Sequence, residues 1–479
     1  MSVANEFKKG ILYSALGKYS NVIIQLLVTG ILSRLLTPAD YGVVAVVNVF
    51  LVFFQMLADF GIGPAIIQYK DLNEKDIGSI FAFSIYLAVT LGLIFMSLGI
   101  PISNFYSNAV YQQICLILGV CVIFYALLVV PQSILLREKK FFNVNMVTIA
   151  ANLASGVLSI VLAFAGFSYY ALIIGNIAKA FVMFIIFFYQ AKLKVTFKMS
   201  GAPLKKIYKF SKNQFAFNFI NYFSRNLDKI LIGRFFSENA LAFYDKAYQV
   251  SLYPNQILTS VITPVIQPIL SDYETEKSVI KKVYLKITLV LGTLGVPISV
   301  FLFFSSTEVV TFLFGNQWGG SIITFQILAV SVWVQMISSS TGAIFQSANR
   351  TDLLLLSGIL STALNIISIA IGIFLGKIEY VAAMIVLSFT LNFFMNNYLL
   401  MYRLFNATFK EYFKILIKPM IMGLLQIIFF LLLPELPFSN FFNLVVKGIG
   451  FMVIFLMGIL VTGQGKLLKE FLGRRNKNK

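Results

Sequence analysis

What limits this chain most is how rarely a charge interrupts it. Apolar runs of about twenty residues follow one another almost from end to end, the length that carries a helix across a bilayer core about 30 Å thick. About fourteen such segments can be drawn, near 11–36, 41–67, 77–102, 111–136, 143–166, 168–190, 211–235, 241–268, 283–305, 321–348, 353–376, 379–404, 411–433 and 441–462. Of 479 residues 59% are hydrophobic and 12% charged, with a mean hydropathy of +0.86; soluble domains carry about 25% charged residues. No soluble core hides that much apolar surface, so the chain is expected to be an all-α polytopic membrane protein. Its opening, MSVANEFKKG, shows no cleavable-signal pattern, so the first segment is expected to be retained.

The formal net charge of +19 would point a soluble protein toward nucleic acid. Here the cations fall on alternate loops, and no nucleic-acid partner is expected. One side takes Lys8 and Lys9, Lys70 and Lys75, Arg137 to Lys140, Lys192 to Lys212, Lys277 to Lys286, Arg350, Arg403 to Lys418, and the tail from Lys466 to Lys479. The other side has little beyond Lys377 and acids such as Glu308 and Glu435. Cationic loops stay in the cytoplasm, so both termini are expected there, and the number of spans is expected to be even. The outer loops are short, the longest near 306–320, and leave no room for an extracellular domain. The segment PLKKIYKFSK (203–212) suits either a helix lying on the anionic inner leaflet or a solvated linker.

The chain also repeats itself. At an offset of 200, ILSRLL (31–36) falls on LIGRFF (231–236), and Asn21 on Asn221. Ile62, Pro64, Ile66 and Glu74 fall on Ile262, Pro264, Ile266 and Glu274. LGIPIS (98–103) answers LGVPIS (294–299), and Arg137, Asn152 and Ser155 answer Arg350, Asn365 and Ser368. The expected layout is a six-helix bundle over 1–200, a parallel repeat of it over 201–408, and two further helices with a basic tail over 409–479. Parallel repeats place a substrate path at their interface.

Two equivalent segments carry polar stripes. Gln214, Asn218, Asn221, Arg225 and Asp228 are spaced four, three, four and three apart. Ser14, Lys18, Asn21, Gln25 and Thr29 are spaced four, three, four and four. Such spacing puts each set on one helical face. A charge deep in a bilayer costs about 2.5–3.5 kcal/mol, so these faces are expected to line a wet interior. Lys18, Asn21, Gln25, Lys179, Asn218, Asn221 and Arg225 are the expected substrate contacts. Asp228 and Asp59 are the expected ion-coupling or gating acids, with Asp59 also placed to cap a helix. The bland alternative is pairing of Arg225 with Asp228 along the helix; it leaves the amides and Lys18 without a role. Lys18, Lys179 and Arg225 against Asp228 make the interior net positive, which favours an anion such as phosphate or carboxylate. Lys229 lies off the stripe and reads as a packing or snorkelling residue, and Asp245 and Lys246 as interfacial. Pro131, Pro254, Pro264 and Pro268 are expected to permit bends.

The chain has no histidine, which removes the commonest general base and metal ligand. Cys115 and Cys121 are expected to be buried and inert. No metal and no cofactor is expected beyond coupling to a Na+ or H+ gradient or to the membrane potential.

LLTPADYG (35–42), DFGIGPAIIQ (59–68), DKILIGRFFSENALAFYDKA (228–247) and LFGNQWGGS (313–321) carry a resemblance over nearly the whole chain. The sequence resembles the polysaccharide transporters of the multidrug/oligosaccharidyl-lipid/polysaccharide flippase superfamily, in particular colanic and teichuronic acid exporters related to Wzx-type flippases. The resemblance implies a substrate of glycan repeat units on undecaprenyl pyrophosphate, moved from the inner to the outer leaflet of a bacterial cytoplasmic membrane. It implies alternating access by two bundles in a V around a cationic cavity, and a glycan polymerase and other assembly proteins as partners. It also puts Asp228 in a helix signature, where the acid serves shape as much as coupling. Ala242–Phe243 stands where such proteins often have a glycine, so a local packing change is expected. An ion-coupled multidrug antiporter of the same superfamily is the alternative; it would want an acidic cavity. A polymerase or ligase would want a large outer loop with catalytic groups, and a structural scaffold leaves the stripes unexplained.

Overall fold

A computed structural model of the chain describes residues 3–196, 199–270, 273–434 and 437–465, with most of their side chains; the side chains left out cluster in 3–18, 209–225 and 260–269. The basic tail from Lys466 lies outside the described residues. The helices are α1 Val3–Leu35, α2 Pro38–Asp59, α3 Ile62–Gln68, α4 Glu74–Ser97, α5 Gly99–Tyr106, α6 Val110–Arg137, α7 Phe141–Phe164, α8 Tyr169–Ala191, α9 Gly201–Phe235 and α10 Glu238–Leu270. There follow α11 Lys277–Phe304, α12 Ser306–Phe314, α13 Ile322–Ala329, α14 Val332–Ser338, α15 Thr341–Ser347, α16 Thr351–Phe374, α17 Ile378–Tyr398, α18 Phe409–Leu432 and α19 Asn440–Val461. A 3₁₀ turn at Asn316–Ser321 and a π-helical turn at Leu399–Leu404 complete the order. No strand occurs among the described residues.

Each of the expected segments is helical, and the local chemistry explains the ends. Thr37 and Asp40 form a reciprocal capping box at the start of α2, with Pro38 as its first residue, where a missing N–H is harmless. Asn73 and Asp76 do the same for α4. Between α2 and α3 the backbone turns left-handed at Phe60 (φ 38°) and Gly61 (φ 72°). Asp59 Oδ1 accepts the N–H of Gly63 at 3.1 Å, so this acid caps the short α3.

Ten described spans, counting α2–α3, α4–α5 and α17 with its π-turn as single spans, are long and apolar enough to cross a membrane. An eleventh is a pair, Asn316–Ala329 and Val332–Ser347, bent by 51°. The expected straight segment at 321–348 is therefore broken, and the expected outer loop at 306–320 is largely α12 and the 3₁₀ turn. The breaks hold no proline. Ser331 Oγ donates to Leu328 O (2.8 Å) and Ser340 Oγ to Ile337 O (2.9 Å), side-chain bonds that compete with the helix ladder. By contrast α6 runs on through Pro131, and α10 runs unbroken from Glu238 to Leu270.

By internal contacts the chain separates into two compact units, Met1–Ala242 and Phe243–Lys479. In the first, α6 packs against α2, α3, α4, α5 and α8, α7 against α1 and α8, and α9 against α2, α3, α4 and α5. The bundles expected from the repeat begin anew at 201; packing places α9 with the first unit. Gly92 and Gly119 let α4 and α6 touch: a Cβ on Gly119 would lie 2.9 Å from Gly92 O. Close backbone approach through small residues is how helices associate in lipid, where apolar burial gives no advantage.

The basic segment at 203–212 is not a free linker. It is the start of α9. Ile207 is buried with Ile62, Ile66, Ile80, Phe81 and Ile134, and Leu204 packs on the same cluster. Lys206 pairs with Asp71, and Ser200 N donates to Ser79 Oγ at 2.6 Å.

In the second unit α11 packs against α14 and α18, α16 against α17, and α19 against α12 and α18. Helices α16 and α17 are stitched by polar side chains. Ser357 Oγ donates to Asn396 Oδ1 in one short contact, and Ser388 Oγ donates to Asn365 Oδ1 at 2.5 Å. The last two helices are tied in by charge. Lys281 Nζ meets Glu411 at 3.0 Å, and Lys447 Nζ bonds Glu308 at 2.5 Å and Phe304 O at 2.8 Å.

Candidate functional site

The expected site residues all lie in the first unit, on α1, α2, α8 and α9. The side chains of Lys18, Asn221 and Arg225, and that of Gln214 beside them, lie outside the described residues. The others can be placed.

On α1, Asn21 Oδ1 accepts from Asn152 Nδ2 at 2.8 Å. Part of its capacity thus holds α1 against α7. Gln25 is exposed. Leu32 and Leu36, seven and eleven residues on, share its side of the helix, yet each is only 3% exposed, in a cluster with Ala163 and Ala171. Ile23, Leu27 and Ile31 form the other, apolar exposed face. One side of α1 is therefore packed at its C-terminal end and open, with a polar group in the opening, two turns below.

On α9 a neighbouring face carries the packing. Phe215 stacks on Phe60, Phe219 and Tyr222 lie against Phe53, and the Tyr222 hydroxyl donates to Val49 O. Asn218 is half-buried. Asp228 is 4% exposed, and its Oδ1 accepts the N–H of Lys229 at 2.8 Å. Lys179 is half-buried on α8, one turn beyond the half-buried Asn176. Asp59 sits at the α2–α3 break as the cap described above. Packing there is tight: a Cβ on Gly63 would lie 2.9 Å from both Asp59 Oδ1 and Ser133 Oγ.

Three other polar arrangements escaped the sequence reading. Glu238, at the start of α10, accepts from Asn108 Nδ2 and from the Tyr111 hydroxyl, each at 2.7 Å. Lys447 is a half-buried partner for the buried Glu308. Lys246 is buried within the protein: it is 4% exposed, with Nζ 5.2 Å from the Phe314 ring and 5.6 Å from Trp318, a desolvated position that aromatic faces stabilise. Phe243, beside the expected packing change, lies edge-on to Trp318 and covers Gly320, whose Cβ would come within 2.6 Å of the ring. Cys115 and Cys121 are buried and free, and no group of His, Cys, Asp or Glu among the described residues is arranged to hold a metal.

A chain built almost wholly of membrane-length helices, with polar groups carried on α1, α8 and α9, is a multi-pass membrane protein. Residues 31–323 match the polysaccharide biosynthesis protein family, and the chain belongs to that family. It is 24% identical over 358 residues to the teichuronic acid biosynthesis protein TuaB of Bacillus subtilis (strain 168), covering 74% of this chain and 73% of that one. It is 22% identical over 379 residues to the lipopolysaccharide biosynthesis protein WzxC of Escherichia coli (strain K12), covering 78% and 76%. The fold is shared with solved structures of low sequence identity. It superposes on the lipid II flippase MurJ in its inward closed conformation with a TM-score of 0.73 at 16% identity, over 97% of this chain and all of the other. An inward-facing multidrug resistance MATE transporter aligns with a TM-score of 0.59 over 81% of this chain. Members of this family are transporters, and the chain is not an enzyme.

Proposed function

We propose that this protein is a flippase that moves undecaprenyl-pyrophosphate-linked oligosaccharide repeat units from the cytoplasmic to the outer leaflet of a bacterial inner membrane, with both termini in the cytoplasm. The observation that carries this reading is Gln25, exposed on the packed side of α1 beside a stripe that also holds Lys18. In an apolar helix that arrangement serves a wet path for a polar cargo. The relatives named for teichuronic acid and lipopolysaccharide biosynthesis, and the fold shared with a lipid II flippase, support a saccharide on a lipid carrier as that cargo. Lys18, Lys179 and Arg225 would hold the pyrophosphate, and Asn21, Gln25, Asn218 and Asn221 the sugars. The lipid tail would stay in the bilayer. Access would alternate between the two faces. Coupling to a Na+ or H+ gradient or to the membrane potential belongs to this proposal, with Asp228 as the acid that binds the ion or holds Arg225 in place. A glycan polymerase would receive the product.

The test is a deletion strain complemented with single variants. Arg225→Ala and Lys18→Ala should each abolish surface glycan, with lipid-linked repeat units accumulating and the protein level unchanged. Normal glycan in both variants would sink the cationic path. Drug resistance that follows expression, with glycan unaffected by deletion, would favour the antiporter instead.

A further inference from the structure

Helix α10 is open at one place. Over residues 241–259 every side chain is buried or half-buried except that of Gln256. Its counterpart in the repeat, α2, is also open at one place over 41–59, and there the residue is Val52. The faces that α16 and α19 leave exposed carry Leu356, Ile359, Val453 and Leu456, as contact with lipid requires. Gln256 lies halfway along the expected span 241–268. An exposed amide at that depth needs water or a polar ligand beside it, because lipid tails bond nothing.

Gln256 does not stand alone. Gln249, Tyr253 and Gln256 are spaced four and three apart, which puts them on one helical face. Tyr253 is 7% exposed, and its hydroxyl has no hydrogen-bond partner among the described residues, a state that costs stability unless a ligand completes it. Pro254 brings no N–H to the ladder, so the carbonyl of Val250 loses its intrahelical donor beside this face. In α2 the positions at an offset of 200 are Val49, Phe53 and Met56. Val49 is 6% exposed, and Phe53 lies against Phe219 and Tyr222. The fold therefore fills these positions with apolar groups where packing is all they serve. The polar face of α10 is an addition made in the second copy.

We propose that Gln249, Tyr253 and Gln256 form a saccharide subsite on the second unit, which takes a neutral sugar ring of the cargo through its hydroxyl or acetamido groups. The chemistry of the face selects that ligand. Two carboxamides, a phenol and a freed carbonyl offer donors and acceptors together, as sugar hydroxyls do. The three positions carry no cation to hold phosphate, and the half-buried Asp245, one turn before Gln249, repels it. Lys18, Lys179 and Arg225 all belong to the first unit, so pyrophosphate and sugar are assigned to different units. The sugar as ligand rests on the flippase reading; the hydrated face does not.

The experiment has two arms, both with the full chain. In the first, Cys115 and Cys121 are changed to Ala, and single cysteines are reacted with a charged, water-soluble thiosulfonate in cells and in inside-out vesicles. Gln256→Cys should react about tenfold faster or more than Leu27→Cys, because only a hydrated thiol ionises readily; Leu27 is 63% exposed on the apolar face of α1. Equal rates would put the face against lipid and overturn the subsite. In the second arm the purified protein binds undecaprenyl pyrophosphate, either bare or carrying one glucose, galactose or N-acetylglucosamine. At least one sugar-bearing lipid should bind about tenfold tighter than the bare one, the scale of one or two net hydrogen bonds. Gln256→Leu should remove that difference and leave the affinity for the bare lipid as it was. Tyr253→Phe deletes one oxygen that bonds nothing in the fold, and should reduce the difference by a smaller factor. No gain from any sugar in the wild type, or variants that weaken bare and sugar-bearing lipid alike or neither, overturns the subsite while the flippase reading stands. A wild-type protein that binds none of the lipids overturns the flippase reading and the sugar assignment together.

Discussion

At the scale of single residues, glycines and one ion pair set the sharpest limits. A Cβ on Gly372 of α16 would stand 2.6 Å from the Cα of Val381 on α17, and neither is a flexible side-chain end. Gly372→Ala should force the helices apart and destabilise by about 1–3 kcal/mol. Gly358, on the same helix, has nothing within 4 Å, so Gly358→Ala should be neutral or slightly stabilising through helix propensity. Thermal unfolding of the two purified variants in one detergent separates these outcomes. Equal melting points would show that α16 and α17 do not approach this closely.

The pair Lys447–Glu308 is a different case, because both partners are largely buried, and Glu308 Oε2 has no hydrogen-bond partner. Removing one member leaves an uncompensated charge in a poor solvent. Lys447→Met should cost about 3 kcal/mol, and Lys447→Met with Glu308→Leu should recover most of it. The same melting assay reads the cycle; additive losses would argue that the two charges act independently.

At the scale of elements, the docking of α9 explains both what the sequence conveyed and what it hid. Spacing alone sorted Asn218 and Asp228 onto one face, because helical period is a local property. It did not tell that the basic start of α9 packs on α3 and α4, because Leu204 and Ile207 look the same facing lipid or facing protein. Helix breaks were hidden for a related reason. Proline marks an expected bend, but Ser331 and Ser340 break their span through hydroxyl bonds that no pattern of apolar residues registers. The Glu238 contacts join residues about 130 positions apart, beyond the reach of any periodicity.

The Lys206–Asp71 contact at the start of α9 gives the pH behaviour of this element. The ammonium holds the Asp71 carboxyl below its usual range. A lowered folded-state pKa means that the contribution is complete above the unfolded value, about 3.9, and is lost only as pH falls through the lower folded one. Both partners are on the surface, so the effect is small and salt-sensitive. Protease sensitivity of the 192–200 segment should stay flat from pH 8 to pH 5, and Lys206→Met should shift it little at neutral pH. A transition between pH 6 and 7 would assign the docking to some other group.

At the scale of the molecule, the sidedness of the whole chain turns on the long helices outside the counted spans. Ten described spans pass a test of length and apolarity, eleven with the bent pair. The other long helices are α1, whose described apolar stretch is Tyr19–Leu35, α9 and α10, and the first two carry the polar stripes. If all three cross, the number reaches fourteen and the termini share one face. If one lies along the surface, every loop beyond it changes side. The charge distribution decides between these, because the loops that would then face outward include the basic runs near Arg403 to Lys418 and at the C-terminus, and cations resist translocation. The two stripes are thus tied to topology: α1 and α9 can be spans only if their polar faces meet water or protein rather than lipid. Fusions read this directly. Green fluorescent protein should fluoresce when joined after Arg403 or after Lys479, and alkaline phosphatase should be active when joined after Pro437. Active phosphatase at Lys479 would mean an odd number of crossings, would place one of the striped helices outside the bilayer core, and would remove the path that both stripes are proposed to line.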